Sequence, residues 1–273
     1  MANMTTTTGA NFIPEIWSDE VVAAYKSNLV VANLVNNLNH NGKKGDTIHL
    51  PNPARNSASA KVANTDVTAI TDTAADISVL INKHYEYSMY IEDIASLQAL
   101  NSMRKFYTDD GGYSLAKQTD SDLITDMRTN GTGDIASITN WDASILQGIE
   151  TLNDNDVPMD GRSLIVSPSA YTALLSTDRF TEQQFIGNGT AISTGKVGMI
   201  YGVDVFVSSN VGTGNDEKGI LFQKDGIVLA TQQSVRTQTQ YKQEKLADLF
   251  TADCVYGTKV VRPSSIVEMR STA

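Results

Sequence analysis

Three histidines, one cysteine and three pairs of carboxylates are the side chains on which any catalysis would have to rest. His40, His49 and His84 all fall in the first third of the chain, none at metal-ligand spacing. They read as solvated or hydrogen-bonded strand residues. Cys254 is the only cysteine, which excludes an intrachain disulfide and a thiolate zinc cage. Gly112-Tyr113-Ser114-Leu115-Ala116 has the outline of a nucleophile elbow, but an elbow follows a buried strand. Here Arg104 to Asp110 is charged and helical in pattern, and no histidine follows His84 to act as the base.

The remaining patterns fail on spacing or setting. Gly189 to Gly195-Lys196 differs from a phosphate-binding loop by an extra residue between the glycines, and Val197 replaces the magnesium-binding hydroxyl. It reads as a surface loop. Asp109 with Asp110, Asp120 with Asp122, and Asp154 with Asp156 read as solvated groups in helix ends and turns. No catalytic, cofactor-binding or metal-binding constellation emerges, so the expectation is a protein that is not an enzyme and needs no cofactor.

Bulk properties agree. Acidic residues outnumber basic ones 31 to 21, giving a formal charge of −10, and no basic stripe is present to grip phosphate. Acidity keeps a soluble protein from sticking to others, and it also suits a container wall that must not hold DNA tightly. Met1 to Ala10 is Thr-rich without a basic or apolar region, so it does not read as a signal peptide, and the sequons at Asn3, Asn130 and Asn188 carry little weight. No apolar run approaches the roughly 20 residues that span a bilayer. A cytoplasmic setting is expected.

The elements follow from periodicity. Phe12 to Trp17 and a helix start at Ser18-Asp19-Glu20 lead into Val21, Val22, Tyr25, Leu29 and Val30 at helical spacing; this is either a core helix or an arm for a neighbouring chain. Alternation predicts strands at Asp46–Leu50 and at Ile77, Val79 and Ile81, and again at Tyr85, Tyr87 and Met89. Between the first two lies Asn52 to Asp76, which lacks Leu, Phe, Tyr and Trp. Such a core-poor excursion predicts a projecting hairpin that benefits a monomer little. Ile91 to Tyr107, then Leu115, Leu123 and Met127, predict a long helix interrupted at Gly111-Gly112 and stopped at Asn130-Gly131-Thr132-Gly133.

From Trp141 the pattern becomes α/β. A helix is predicted over Trp141–Leu152, a buried strand at Ser163–Val166, and a helix capped by Ser167 through Leu175. A glycine-punctuated loop spans 187–202, followed by strands at Val203–Val207, Ile220–Phe222 and Ile227–Leu229. Lys224-Asp225-Gly226 reads as the hairpin turn between the last two. Val235, Thr237, Thr239 and Tyr241 alternate with polar residues in a long strand, and Val260-Val261 and Ile266-Val267 flank Pro263.

Three stretches, in this order, resemble the major capsid proteins of tailed phages, whose fold was first seen in the Hong Kong phage capsid. They are Phe12-Ile13-Pro14-Glu15-Ile16-Trp17-Ser18 with Asn28–Asn33 and Gly45–Pro51; Gly195-Lys196-Val197-Gly198-Met199-Ile200-Tyr201-Gly202 through Asn210; and Tyr256–Pro263 with Ile266-Val267. The resemblance implies an α+β capsid fold: an N-terminal arm (1–45), an extended hairpin loop (46–90), a peripheral domain with a spine helix and long strands (91–140 and about 232–253), and an α/β axial domain (about 141–231 and 254–273). It implies hexamers and pentamers closing an icosahedral head shell around double-stranded DNA, in the virion, after assembly in the host cytoplasm. Partners would be copies of the chain itself, with scaffold, portal and decoration proteins as further ones, and no membrane. With an arm beginning at Phe12, no internal scaffold is expected. Phe12, Ile13, Trp17, Arg55, Lys61 and Arg104 are the candidate assembly contacts. An encapsulin-like compartment shell and a phage decoration or adhesive β-protein are the rival readings.

Overall fold

The computed structural model describes residues 29–42, 44–52, 58, 60–67, 69, 75–92, 103–176, 198–212 and 218–271. The helix expected from Ser18 and the glycine loop up to Val197 lie outside these residues. In chain order the elements begin with β1 (Asn36–Asn39), β2 (Thr47–Asn52), β3 (Ala75–Leu80), β4 (Lys83–Glu92) and the 28-residue helix α1 (Met103–Asn130). Then come β5 (Gly133–Ile135), α2 (Trp141–Asp154), β6 (Arg162–Val166), α3 (Pro168–Leu175), β7 (Met199–Ile200), β8 (Val203–Val207) and β9 (Lys218–Gln223). The chain ends with β10 (Ile227–Lys242), β11 (Ala247–Val260) and β12 (Ile266–Arg270). The strands form a four-stranded sheet in the order β1-β10-β11-β4, a six-stranded sheet in the order β5-β12-β9-β6-β8-β7, and the separate pair β2-β3.

The six-stranded sheet is covered on both faces, which is why Leu164–Val166 of β6 and Ile220–Phe222 of β9 are unbroken apolar runs. Leu164, Val166, Leu221, Val267 and Met269 meet Trp141, Ile145 and Leu152 of α2 and Ala170 and Leu174 of α3. Ile165, Ile220, Phe222 and Ile266 join a second core with Leu115, Leu123, Ile124 and Met127 of α1. Both short helices are capped at their N-termini: Ser167, as expected, accepts from the Ala170 amide, and Asn140 from that of Asp142.

Helix α1 lies across the inner face of the four-stranded sheet. Alternation along β11 sends Phe250, Ala252, Cys254 and Tyr256 into that contact, and Tyr85 and Tyr87 of β4 join them. Along α1 the buried positions are Thr108, Gly111, Gly112, Leu115, Ala116, Thr119, Asp120, Leu123, Ile124 and Met127, one stripe at helical spacing. Small and polar residues fill much of that stripe. The expected interruption at Gly111-Gly112 does not occur. Helix continues through both glycines because Gly111 sits on the Tyr87 ring, where a Cβ would stand 3.0 Å from Cδ1. The close approach, with Tyr87 donating to Asp110 at 2.9 Å, offsets the roughly 0.5–1 kcal/mol that a helical glycine costs.

Three further expectations are corrected. Ile91 and Glu92 are not helical: they continue the alternation of β4 and pair with Asp248 and Ala247 of β11. Lys224-Asp225-Gly226 is not a turn between paired strands. The edges of β9 are taken by β6 and β12, so a 3-10 turn carries the chain into the other sheet, held by Gln223 Oε1 accepting from the Asp225 amide at 2.9 Å. Asp120 and Asp122 are neither in a turn nor solvated; both sit in the interior of α1.

Asp120 is 3 % exposed and accepts from the amides of Val30, Val31 and Ala32 at 2.9, 3.2 and 3.0 Å. Burial raises its carboxyl above the ordinary range, against the opposing pull of those three amides. Asp122 ties the helix to the sheet: it accepts from Tyr256 at 3.0 Å and lies 3.2 Å from Lys83 Nζ. Asp120 and Asp122 thus fix three segments, at Val30–Ala32, Tyr256 and Lys83, to one helix.

Two outcomes follow. Asp120→Ala leaves three amides without their acceptor and should lower unfolding stability by about 3 kcal/mol, given roughly 1–3 kcal/mol per orphaned buried group; an unchanged urea midpoint would remove Asp120 as the anchor. Cys254 is buried, and burial, followed by the charge of Asp253, pushes its thiol up to about 12. Iodoacetamide near neutral pH should therefore modify the unfolded chain quickly and the folded chain very slowly, as read by mass spectrometry. Equal rates would contradict that placement.

Candidate assembly surfaces

Of the residues singled out from sequence, Phe12, Ile13, Trp17 and Arg55 lie outside the described residues, and Arg104 falls in the first turn of α1. Lys61 is exposed, and its ammonium donates to the carbonyls of Val62, at 3.0 Å, and of Thr65. Thr65 Oγ1 also donates to the Val62 carbonyl, at 2.8 Å, so the lysine is engaged with its own loop. The turn it helps to hold presents Val62 and Val67, 64% and 77% exposed. Neither valine was singled out from sequence, because two apolar residues in an Ala/Thr/Asn-rich stretch carry no periodic signal.

The predicted hairpin is present. β2 and β3 pair antiparallel from Thr47↔Leu80 to Asn52↔Ala75, six rows in all. Ile48 and Leu50 face Val79 on one side, and this apolar side rests at its base on Ala230, with Leu38 and Val255 alongside. The other side carries His49 and Asp76, whose Nδ1 and Oδ2 stand 2.5 Å apart in the open. The Ile81 amide closes the root on the Asp46 carbonyl at 2.7 Å, and Gln232 Nε2 holds the Gly45 carbonyl at 2.8 Å. Within the 46–90 segment, β4 belongs to the four-stranded sheet and not to this pair.

Beside the hairpin's base, the face of the four-stranded sheet turned away from α1 carries a polar cluster. Asp253, 5% exposed, receives Arg236 through Nε and Nη2 at 3.1 and 2.9 Å and Gln233 Nε2 at 3.2 Å. His84 Nε2 stands 3.2 Å from the same carboxylate. These contacts gather where β10 bulges against β11, between Thr231 and Arg236. They are a structural clasp on an irregular ladder. At the far end of the ladder Lys245 stacks on Tyr90, 3.8 Å from the ring centre, beside Leu246, which is 65% exposed.

The described histidines therefore serve the fold or the surface. His49 and His84 each meet a carboxylate, and Nε2 of His40 is buried without a hydrogen-bond partner. Among the described residues no group of three His, Cys, Asp or Glu is placed to hold a metal. Ser114 lies inside α1, where no nucleophile elbow can form. No helix of the described residues is long and apolar enough to cross a membrane.

Two packed sheets with a separate two-stranded hairpin resting on one of them have well-defined relatives. A family model described as phage capsid protein matches residues 103–269. No curated protein matches the chain. Among solved structures, a chain of Mycobacterium phage Che8 superposes with a TM-score of 0.78 at 24% identity, covering 88% of this chain and 90% of that one. The capsid of cyanophage P-SCSP1u gives 0.74 at 15% identity, covering 88% and 87%. The mature capsid of bacteriophage PhiM1 gives 0.70 at 12%, covering 89% and 87%. The α+β capsid fold expected from the sequence is the fold these chains share. With the family match running from the first residue of α1 into β12, this chain belongs to the phage capsid protein family.

Proposed function

We propose that this chain is the major capsid protein of a tailed phage, a structural protein that closes as hexamers and pentamers into the head shell around double-stranded DNA. One observation carries the reading: β2-β3 is a two-stranded sheet with no further strand on either edge among the described residues. An isolated hairpin of two strands is marginal in water. Among the described residues, only the base of its apolar side has a cover in its own subunit. A neighbouring copy supplies the missing cover, and a head-to-tail contact of this kind closes into rings by rotation.

On this reading 1–45 is the arm, 46–90 contains the extended loop, 91–140 with about 232–253 is the peripheral domain, and about 141–231 with 254–273 is the axial domain. Phe12, Ile13 and Trp17 give the arm its apolar grip, and Arg55, Lys61 and Arg104 meet carboxylates of adjacent copies, each contributing modestly at an exposed site. Lys61 would exchange its loop carbonyls for that contact. The net charge of −10 keeps the wall from binding DNA tightly. Scaffold, portal and decoration proteins are the further partners such a shell draws on, and assembly takes place in the host cytoplasm.

Electron microscopy in negative stain, with light scattering, tests this on the chain expressed alone. Shells, tubes or five- and six-fold rings are expected. A chain that stays monomeric at high concentration, with or without candidate scaffold protein, would overturn the reading. Deleting 53–75 should leave soluble subunits that close no shells; normal particles from that deletion would remove the hairpin from assembly.

A further inference from the structure

The hairpin joins the body where Leu80 and Ile81 cross the outer face of the four-stranded sheet, and the residue beneath them is Gly257. Pairing of β4 with β11 ends at Tyr256↔Lys83, so Gly257 is the first position of β11 beyond that partner strand. On its other side it pairs with Ala230 of β10, itself fully buried under the hairpin's base. A Cβ at 257 would overlap the Leu80 carbonyl oxygen and stand 2.9 Å from its carbon and 3.0 Å from Ile81 Cα. All three are backbone atoms, which cannot rotate aside as a side chain would.

Gly257 does not adopt the left-handed backbone conformation that favours glycine. The overlying chain, nearest at all three of these atoms, is what forbids a side chain here. Resting on the reading of the hairpin as an assembly element, we propose that Gly257 is its positioning residue: the missing side chain is the seat that fixes the direction in which β2-β3 leaves the subunit. The Ile81–Asp46 hydrogen bond and the Val79–Ile81–Ala230 cluster make the root one piece. Lifting Leu80 and Ile81 therefore tilts all six paired rows together, and displacement grows toward the tip. A shell whose subunits overlap through the hairpin then loses register between neighbours while each subunit keeps its core.

The test uses the full chain with Gly257→Ala. Spin labels on Ser78→Cys and Gln238→Cys, both exposed, report the angle between hairpin and sheet, and buried Cys254 stays unlabelled. The expected result is a displaced distance distribution in a subunit with parental circular dichroism, together with loss of closed shells. A parental distance with normal shells would overturn the proposal. If alanine at 257 prevents folding, Ala230→Val raises the same floor from the next strand; a folded A230V subunit with the parental distance would overturn it equally. Because the distance is read on isolated subunits, a parent chain that formed no shells would sink the assembly reading and leave Gly257 to be judged separately.

Discussion

Contact between α1 and the inner face of the β10-β11-β4 ladder is the interaction on which the other parts depend. Phe250, Cys254 and Tyr256 supply buried apolar surface from the sheet, and Leu115, Leu123 and Met127 supply it from the helix. Burying each large side chain is worth roughly 1.5–3 kcal/mol, so this face alone offsets a substantial part of the ordering entropy. The same helix then serves as a bracket. Asp120 takes the chain at Val30–Ala32, Asp122 takes Tyr256 and Lys83, and Met127 reaches the core shared with the six-stranded sheet. Without the helix in place, neither Val30–Ala32 nor the sheet that floors the hairpin has a fixed position.

A division of labour follows from where apolar surface is spent. The two packed sheets bury their own cores between α1, α2 and α3. The hairpin spends Ile48, Leu50 and Val79 at its base, and beyond it leaves Val62 and Val67 exposed. Its stability as a separate pair is low, and a loosely covered element next to a rigid body is the arrangement that lets a neighbour complete it. Polar contacts on the far face of the ladder, such as the Arg236–Asp253 pair, stiffen an irregular strand without adding sticky surface.

Much of this was legible in the sequence, and the failures have physical causes. Strand alternation located β2 and β3, helical spacing located α2, and Ser167 marked the start of α3, because in each case one local rule and the tertiary structure agree. Gly111-Gly112 misled because a helix tolerates glycine where a ring presses on it, and Tyr87 is distant in sequence. Asp120 and Asp122 misled because a carboxylate signals solvent until its partners are known, and those partners lie on other elements. The strand β11 was largely missed: Asp253 and Cys254 are both buried, which blurs the period of two. Of the candidate contacts, only Lys61 is described with its side chain, and it bonds its own loop; Val62, Val67 and Gly257 stand out only once the hairpin is built.

The central claim is that the body folds by itself and the hairpin is completed by a neighbour. Hydrogen–deuterium exchange, measured on isolated subunits and on assembled particles, addresses it most directly. Amides of 47–52 and 75–80 should gain strong protection on assembly, while those of β6 and β9, already buried on both faces, should change little. Equal protection of the hairpin in both states, with the gain confined to the body, would contradict the account.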